Sequence, residues 1–159
     1  MLACRITGGR NPIRIICDSR LRTPFESNIV KTAGEVPTII ATVSKNKELI
    51  EKYTDKNITV IQTSDDNGHV DLNELMIKLG EMKIDGILLE GGGELNFSAL
   101  KAGIVNKIEC YIAPKIFGGT EAKSPVGGIG VNVPDEAFVF GKPDVSFFDD
   151  DILLEWRLK

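Results

Sequence analysis

Apolar residues fall along this chain in short separated runs, and the spacing within each run predicts its element. Residues 13–17 (IRIIC), 38–43 (TIIATV) and 58–62 (ITVIQ) are β-branched and apolar, and each is bounded by Gly, Pro, Asn or charged residues, the pattern of strands. Between the second and third, Ser44 stands as a helix N-cap before Lys47, Leu49 and Ile50, with the helix reaching Tyr53. Asp71 can cap the next helix, in which Leu72, Leu75, Met76 and Leu79 recur at spacings of three and four and so share one face. Residues 84–89 (IDGILL) end almost wholly apolar, which predicts a fourth strand covered on both sides, as in a parallel sheet. After a Gly-rich turn, residues 94–102 read as a helix closed by Gly103, and 107–113 (KIECYIA) as a fifth strand.

Beyond that point the pattern changes. Residues 114–133 are rich in glycine and carry no apolar period, so a long loop is expected. Residues 145–148 and 152–158 flank Asp149, Asp150 and Asp151 and read as an antiparallel hairpin. Alternating strands and helices followed by a hairpin predict an α/β domain with a mixed, mostly parallel sheet flanked by helices. No repeat, low-complexity tract or linker interrupts the 159 residues, so a single domain is expected over 1–159.

Composition narrows the chemistry. A net charge of −4 disfavours nucleic-acid binding, which needs clustered Lys and Arg. No apolar run approaches the roughly 18 residues of a membrane helix, and the first residues lack the apolar core of a secretion signal, so a soluble, cytoplasmic protein is expected. Cys4, Cys17 and Cys110 make no CxxC pair, which argues against a disulfide framework or a zinc site, and Cys17 and Cys110 read as inert thiols in strands. The single histidine, His69, lies in the turn-like DDNGHVD without a GxSxG elbow and reads as a solvated turn residue.

Three segments carry candidate chemistry. In residues 84–103 an apolar run ends in Glu90, three glycines follow and a helix begins. The first N–H groups of a helix have no internal acceptor, and the helix dipole adds partial positive charge, so such a start suits a phosphate or diphosphate. The segment is neither GxGxxG, since Asn96 replaces the third glycine, nor a P-loop, since no GK[ST] follows. Glu90 reads either as a solvated edge carboxylate or as one that meets a ligand. In residues 16–24 (ICDSRLRTP) a strand ends in Asp18, and Ser19, Arg20 and Arg22 follow; they are surface residues or a phosphate clamp. Residues 113–130 offer many free backbone N–H groups and read equally as a flexible loop or as part of a subunit contact.

Taken in order and spacing, GGRNPIRIICDSRLRTP, LLEGGGELNFSAL, APKIFGGTEAKSPVGG and the closing FFDDDILLEWRLK resemble the reductase domain of the bifunctional riboflavin-biosynthesis deaminase/reductase family over essentially the whole chain. The resemblance implies a dihydrofolate-reductase-like fold. It also implies NADPH-dependent reduction of 5-amino-6-(5-phosphoribosylamino)uracil to the ribityl compound, with hydride reaching the anomeric carbon. Carried over by position, Gly92, Gly93, Glu94, Leu95, Asn96, Phe97 and Ser98 match the family's dinucleotide loop and helix start. Ser19 matches an NADPH contact and Glu90 a substrate contact. MLACRI resembles the end of a motif written roughly DDPxLTxR, which makes Leu2 and Arg5 substrate contacts; Ala3 stands where the family usually has Thr. From charge and position, Arg20 or Arg22 is assigned to the 2′-phosphate of NADPH.

The family's domain opens with a strand and helix that precede this motif, and these are expected to be missing here, as is the zinc deaminase domain with its H-x-E and P-C-x-x-C. The resemblance implies a homodimer and the parent's deaminase domain as partners, and no metal. No residue is assigned as proton donor. The alternatives are a non-catalytic NADP-binding or dimerising fragment, and a reductase of another pterin or pyrimidine.

Overall fold

A computed structural model describes Cys4 and residues 6–158; Leu2 and Arg5, two of the expected substrate contacts, lie outside the described residues. The chain divides into two compact units, Met1–Asp85 and Gly86–Lys159.

The first unit is built on a parallel sheet in the order β1 (Arg14–Cys17), β2 (Thr38–Thr42), β3 (Ile58–Gln62). Arg14 pairs with Thr38 and Thr38 with Ile58, so the three runs are aligned from their first residues. β2 is buried at all five positions because apolar residues cover both of its faces. Ile40 packs among Leu21, Val30, Ala33, Tyr53 and Ile58, while Ile39 and Ala41 pack among Ile61, Val70, Leu75 and Leu79. The helices supply those layers: α1 (Asn28–Lys31), α2 (Lys47–Thr54) and α3 (Leu72–Glu81).

Asp71 caps α3 as expected, its side chain accepting from Glu74 N–H at 3.0 Å, and Leu75 and Leu79 form the buried stripe. For α2 the cap is Asn46 rather than Ser44: Asn46 Oδ1 accepts from Leu49 N–H at 3.1 Å. Ser44 instead accepts from the Asn46 N–H at 3.3 Å, one step before the helix. His69 is exposed on β5 (His69–Val70), paired with Asp66 of β4 (Asp65–Asp66). Asn67 and Gly68 at the tip both take positive φ, 52° and 85°, the geometry of a two-residue hairpin.

The second unit holds α4 (Gly93–Lys101) and an antiparallel sheet in the order β6 (Lys107–Ile112), β8 (Asp151–Arg157), β7 (Asp144–Phe148). The expected hairpin is therefore present, turning at Asp149 (φ 51°), and the expected long loop runs from β6 to a 3-10 turn at Pro134–Glu136. Parallel strands, flanking helices and a terminal hairpin give the mixed α/β class.

One expected element is absent. Residues 84–92 form neither strand nor helix. Leu88 is 75% exposed, and Ile87 and Leu89 are exposed beside it. A strand exists only where a neighbour takes its N–H and C=O groups, and no described strand pairs with this run. Its apolar character records a tendency to be covered, but pairing is a tertiary property.

Candidate functional site

The loop after β1 carries Ser19, Arg20 and Arg22, and its shape comes from neighbours that sequence reading passed over. Asp18, only 8% exposed, accepts from the Thr23 N–H and the Thr23 hydroxyl, both at 2.7 Å. Burial alone would push the Asp18 carboxyl up, but the Arg22 N–H, the Thr23 hydroxyl and N–H, and the Arg20 N–H outweigh it and hold the group below the usual carboxylate range. Tyr53 closes the loop from α2, donating its hydroxyl to the Thr23 carbonyl at 2.5 Å and lying 3.3 Å from that of Leu21. The Ser19 carbonyl is tied to β2 by the Thr42 hydroxyl at 2.9 Å and the Val43 N–H at 3.2 Å. Arg20 and Arg22 are exposed on this frame, and neither makes an ion pair among the described residues. The loop lies at the carboxyl ends of parallel strands, where open α/β sheets bind ligands. Cys17, just inside the strand end, has its thiol pushed up by burial.

In the second unit, Glu90 is exposed at the end of the unpaired run, and Gly92 is the N-cap of α4 with no capping side chain. The N–H groups of Leu95 and Asn96 turn back to the Gly92 carbonyl at 3.0 and 3.1 Å. Those of Gly93 and Glu94 meet no acceptor among the described residues. The segment 124–128 lies against this helix start. Gly127 N–H donates to the Gly93 carbonyl at 3.0 Å, and Asn96 Nδ2 donates to the Pro125 carbonyl at 2.8 Å. A Cβ at Gly93 would fall 2.7 Å from Gly127 N and 3.0 Å from the Ser124 carbonyl oxygen, whereas one at Gly92 would meet nothing within 4 Å.

The resulting corner is open at 92, has two unspent amides at 93 and 94, and is braced by a backbone loop on its other side. Its donors are neutral amides at a helix start, a chemistry that fits one anionic phosphate group. Phe97 contributes differently: its ring is buried, in edge contact with Phe138 at 5.8 Å and packed below Gly128. Ser98 donates its hydroxyl to the Glu94 carbonyl at 2.9 Å within the helix. Residues 90 and 92–98 thus form one continuous corner. Ser19, Arg20 and Arg22 form another in the first unit. The glycine run was legible from sequence. The bracing by Ser124, Pro125 and Gly127 was signalled only by an excess of free amides in 113–130.

Parallel strands with flanking helices, a glycine-led helix start and a terminal antiparallel hairpin are the features of a mixed α/β protein. The chain belongs to the RibD C-terminal domain family, whose model matches residues 1–145. It is 47% identical over 156 residues to the riboflavin biosynthesis protein RibD of Actinobacillus pleuropneumoniae, a match that covers 98% of this chain and 42% of that protein. It is 32% identical to the 2,5-diamino-6-ribosylamino-4(3H)-pyrimidinone 5′-phosphate reductase of Methanothermobacter thermautotrophicus, over 95% of this chain and 68% of that one. Its fold matches that of Acinetobacter baumannii RibD with a TM-score of 0.75 at 21% identity, over 96% of this chain and 39% of the larger one. The chain therefore spans less than half the length of the RibD proteins it resembles here. No helix among the described residues is long and apolar enough to cross a membrane.

Proposed function

We propose that this chain is the reductase portion of a riboflavin-pathway enzyme. It reduces the phosphoribosyl side chain of 5-amino-6-(5-phosphoribosylamino)uracil to the ribityl form with NADPH. The observation that carries the reading is the α4 start: Gly92 open, the Gly93 and Glu94 amides unspent, and the corner braced from behind by Gly127. Membership of the RibD C-terminal domain family supports the same reaction.

On this reading the amides of Gly93 and Glu94 hold one phosphate of the cofactor's diphosphate, with Leu95, Asn96, Phe97 and Ser98 setting the helix that presents them. NADPH, when bound, supplies the hydride. Ser19, Arg20 and Arg22 supply the first unit's cofactor contacts. Leu2, Arg5 and the exposed Glu90 are assigned to the substrate, where a carboxylate can accept from ribose or pyrimidine donors. The protein's contribution is to fix two reactants against each other rather than to make a covalent bond. A homodimer and the parent's deaminase domain are the partners that accompany the reading, and the cytoplasm its compartment.

The test is consumption of NADPH in the presence of 5-amino-6-(5-phosphoribosylamino)uracil, followed by the absorbance of the reduced nicotinamide. The diaminopyrimidinone 5′-phosphate named for the Methanothermobacter relative serves as the competing substrate. Turnover of the uracil compound in preference is the expected result; preference for the diamino compound would reassign the substrate. A second reading, a dinucleotide-binding fragment without turnover, is favoured by the unpaired run 84–92, which carries Glu90. It expects saturable NADPH binding and no consumption. Absence of both binding and consumption overturns both readings.

A further inference from the structure

This inference rests on the NADPH reading and deepens it. The loop 18–23 alternates sharply. Arg20 and Arg22 are exposed, while Leu21 between them is 4% exposed and sits in the core with Val30, Ala33, Ile40, Tyr53 and Ile58. Leu21 also holds φ at 54°, a left-handed conformation that is strained for a leucine and persists only where surroundings impose it. Here they do. The Leu21 N–H donates to the Asp18 carbonyl at 3.2 Å, and the Tyr53 hydroxyl sits 3.3 Å from the Leu21 carbonyl. The Asp18 carboxylate grips Thr23 twice.

Two consequences follow. The nearest acid in sequence, Asp18, has its charge committed inside the loop and does not neutralise the arginines. The arginines stand on a turn closed by its own hydrogen bonds, so gripping an anion there orders less chain. Two exposed guanidinium groups with one residue between them, and with no carboxylate partner among the described residues, suit a terminal phosphate, which an arginine can hold by charge-assisted forked hydrogen bonds.

We propose that Asp18 and Thr23 are positioning residues: through the turn they close, they set Arg20 and Arg22 on the 2′-phosphate of NADPH and so determine the preference for NADPH over NADH. Neither touches the cofactor. They act through the two arginines.

The test measures dissociation constants of the 159-residue chain for NADPH, NADH and adenosine 2′,5′-bisphosphate by titration calorimetry. Variants are Asp18→Asn, Thr23→Val, Thr23→Ser, the double Arg20→Ala/Arg22→Ala, and that double combined with Asp18→Asn. Asp18→Asn and Thr23→Val should each lower the NADPH-to-NADH preference about tenfold, the loss of one hydrogen bond to a charged group. They should weaken adenosine 2′,5′-bisphosphate to match. Thr23→Ser, which keeps the hydroxyl, should retain the preference. Asp18→Asn added to the double variant should change the preference no further, since coupled residues are not additive.

If Asp18→Asn fails to fold, Thr23→Val against Thr23→Ser carries the same comparison. Folded variants that weaken both dinucleotides equally would reduce Asp18 and Thr23 to structural residues and overturn the proposal. A wild type that binds both dinucleotides equally well overturns this proposal alone. One that binds neither overturns the NADPH reading as well.

Discussion

The Gly127 N–H donates to the Gly93 carbonyl at 3.0 Å, and the closeness of those two backbones leaves no space for a side chain at position 93. The first helical residue of α4 is thereby pinned to a loop that follows it by more than thirty residues in sequence. Any ligand held at the α4 start meets a helix whose position is already decided. Glycine is required at 93 for this approach, whereas at 92 it leaves open space.

Gly93→Ala should therefore destabilise the fold by about 1–3 kcal/mol, the usual cost of forcing atoms into packed backbone. It should weaken NADPH binding in parallel. Gly92→Ala should cost less, about 0.5–1 kcal/mol, because glycine is the better N-cap residue but an added methyl there meets nothing within 4 Å. Calorimetric melting of the two variants checks the contrast; equal destabilisation would contradict it.

Glu90→Gln should raise the apparent KM for the pyrimidine substrate, or abolish turnover, while leaving the NADPH dissociation constant close to wild type. Its carboxylate is exposed beyond the apolar run and outside the helix start that the proposed function assigns to the cofactor. Steady-state kinetics beside cofactor titration separates the two effects. Equal loss of both would remove Glu90 from the substrate side.

Arg14 is 2% exposed and has no carboxylate partner among the described residues. Its guanidinium donates to the Thr38 hydroxyl at 3.0 and 2.6 Å, to the Thr32 hydroxyl at 2.8 Å, and to the carbonyls of Ile29 and Val36, each at 3.1 Å. Burial pushes its pKa down, yet the planar fork matches several neutral acceptors at once. Arg14→Lys should lose most of these bonds and cost about 2–3 kcal/mol. Chemical denaturation would show a shift in midpoint with little change in slope.

Glu74 should make stability pH-dependent in the acid range. The Lys78 ammonium at 2.8 Å and the Ser64 N–H at 2.6 Å hold its carboxyl down to about 2, from an ordinary value of 4.5. A depressed carboxyl contributes stability that is present above its unfolded value and lost as pH falls through its folded one. The difference in Tm between wild type and Glu74→Gln should therefore be full above pH 4.5 and shrink as pH falls toward 2. Because the pair is partly exposed, added salt should shrink it too. A difference that stays constant across this range would show that the charge plays no part.

Tyr53→Phe removes the hydroxyl that ties α2 to the Thr23 carbonyl while keeping the ring stacked on Phe25 at 4.6 Å. The expected loss is about 1 kcal/mol. Faster amide exchange should be confined to the loop after β1, read by hydrogen exchange; exchange spread through the sheet would mean the bond supports the core instead.

What the residues alone determined was the set of local elements. RIIC, TIIAT and ITVIQ become strands because β-branched and apolar side chains suit a covered pleated surface. Leu75 and Leu79 become a buried stripe because their spacing matches a helix turn. The glycine run 91–93 announced a tight turn into a helix start with unspent amides. Even the cap of α2 lay within two residues of its expected place, since Ser44 and Asn46 are both good caps and only backbone geometry chooses between them.

Tertiary structure decided the rest, because each remaining feature depends on residues far apart in the chain. The run 84–89 has strand composition, yet strandhood needs a partner's hydrogen bonds, and none of the described strands provides them. Arg14 looks like any arginine until Thr32, Val36 and Thr38 close around it. Asp18 looks like the end of a strand until Thr23 and Tyr53 show that it shapes the loop bearing Arg20 and Arg22. Gly93 is one glycine among three until Gly127 reaches it. Periodicity encodes which surface is to be buried, but only the folded chain settles which groups meet there.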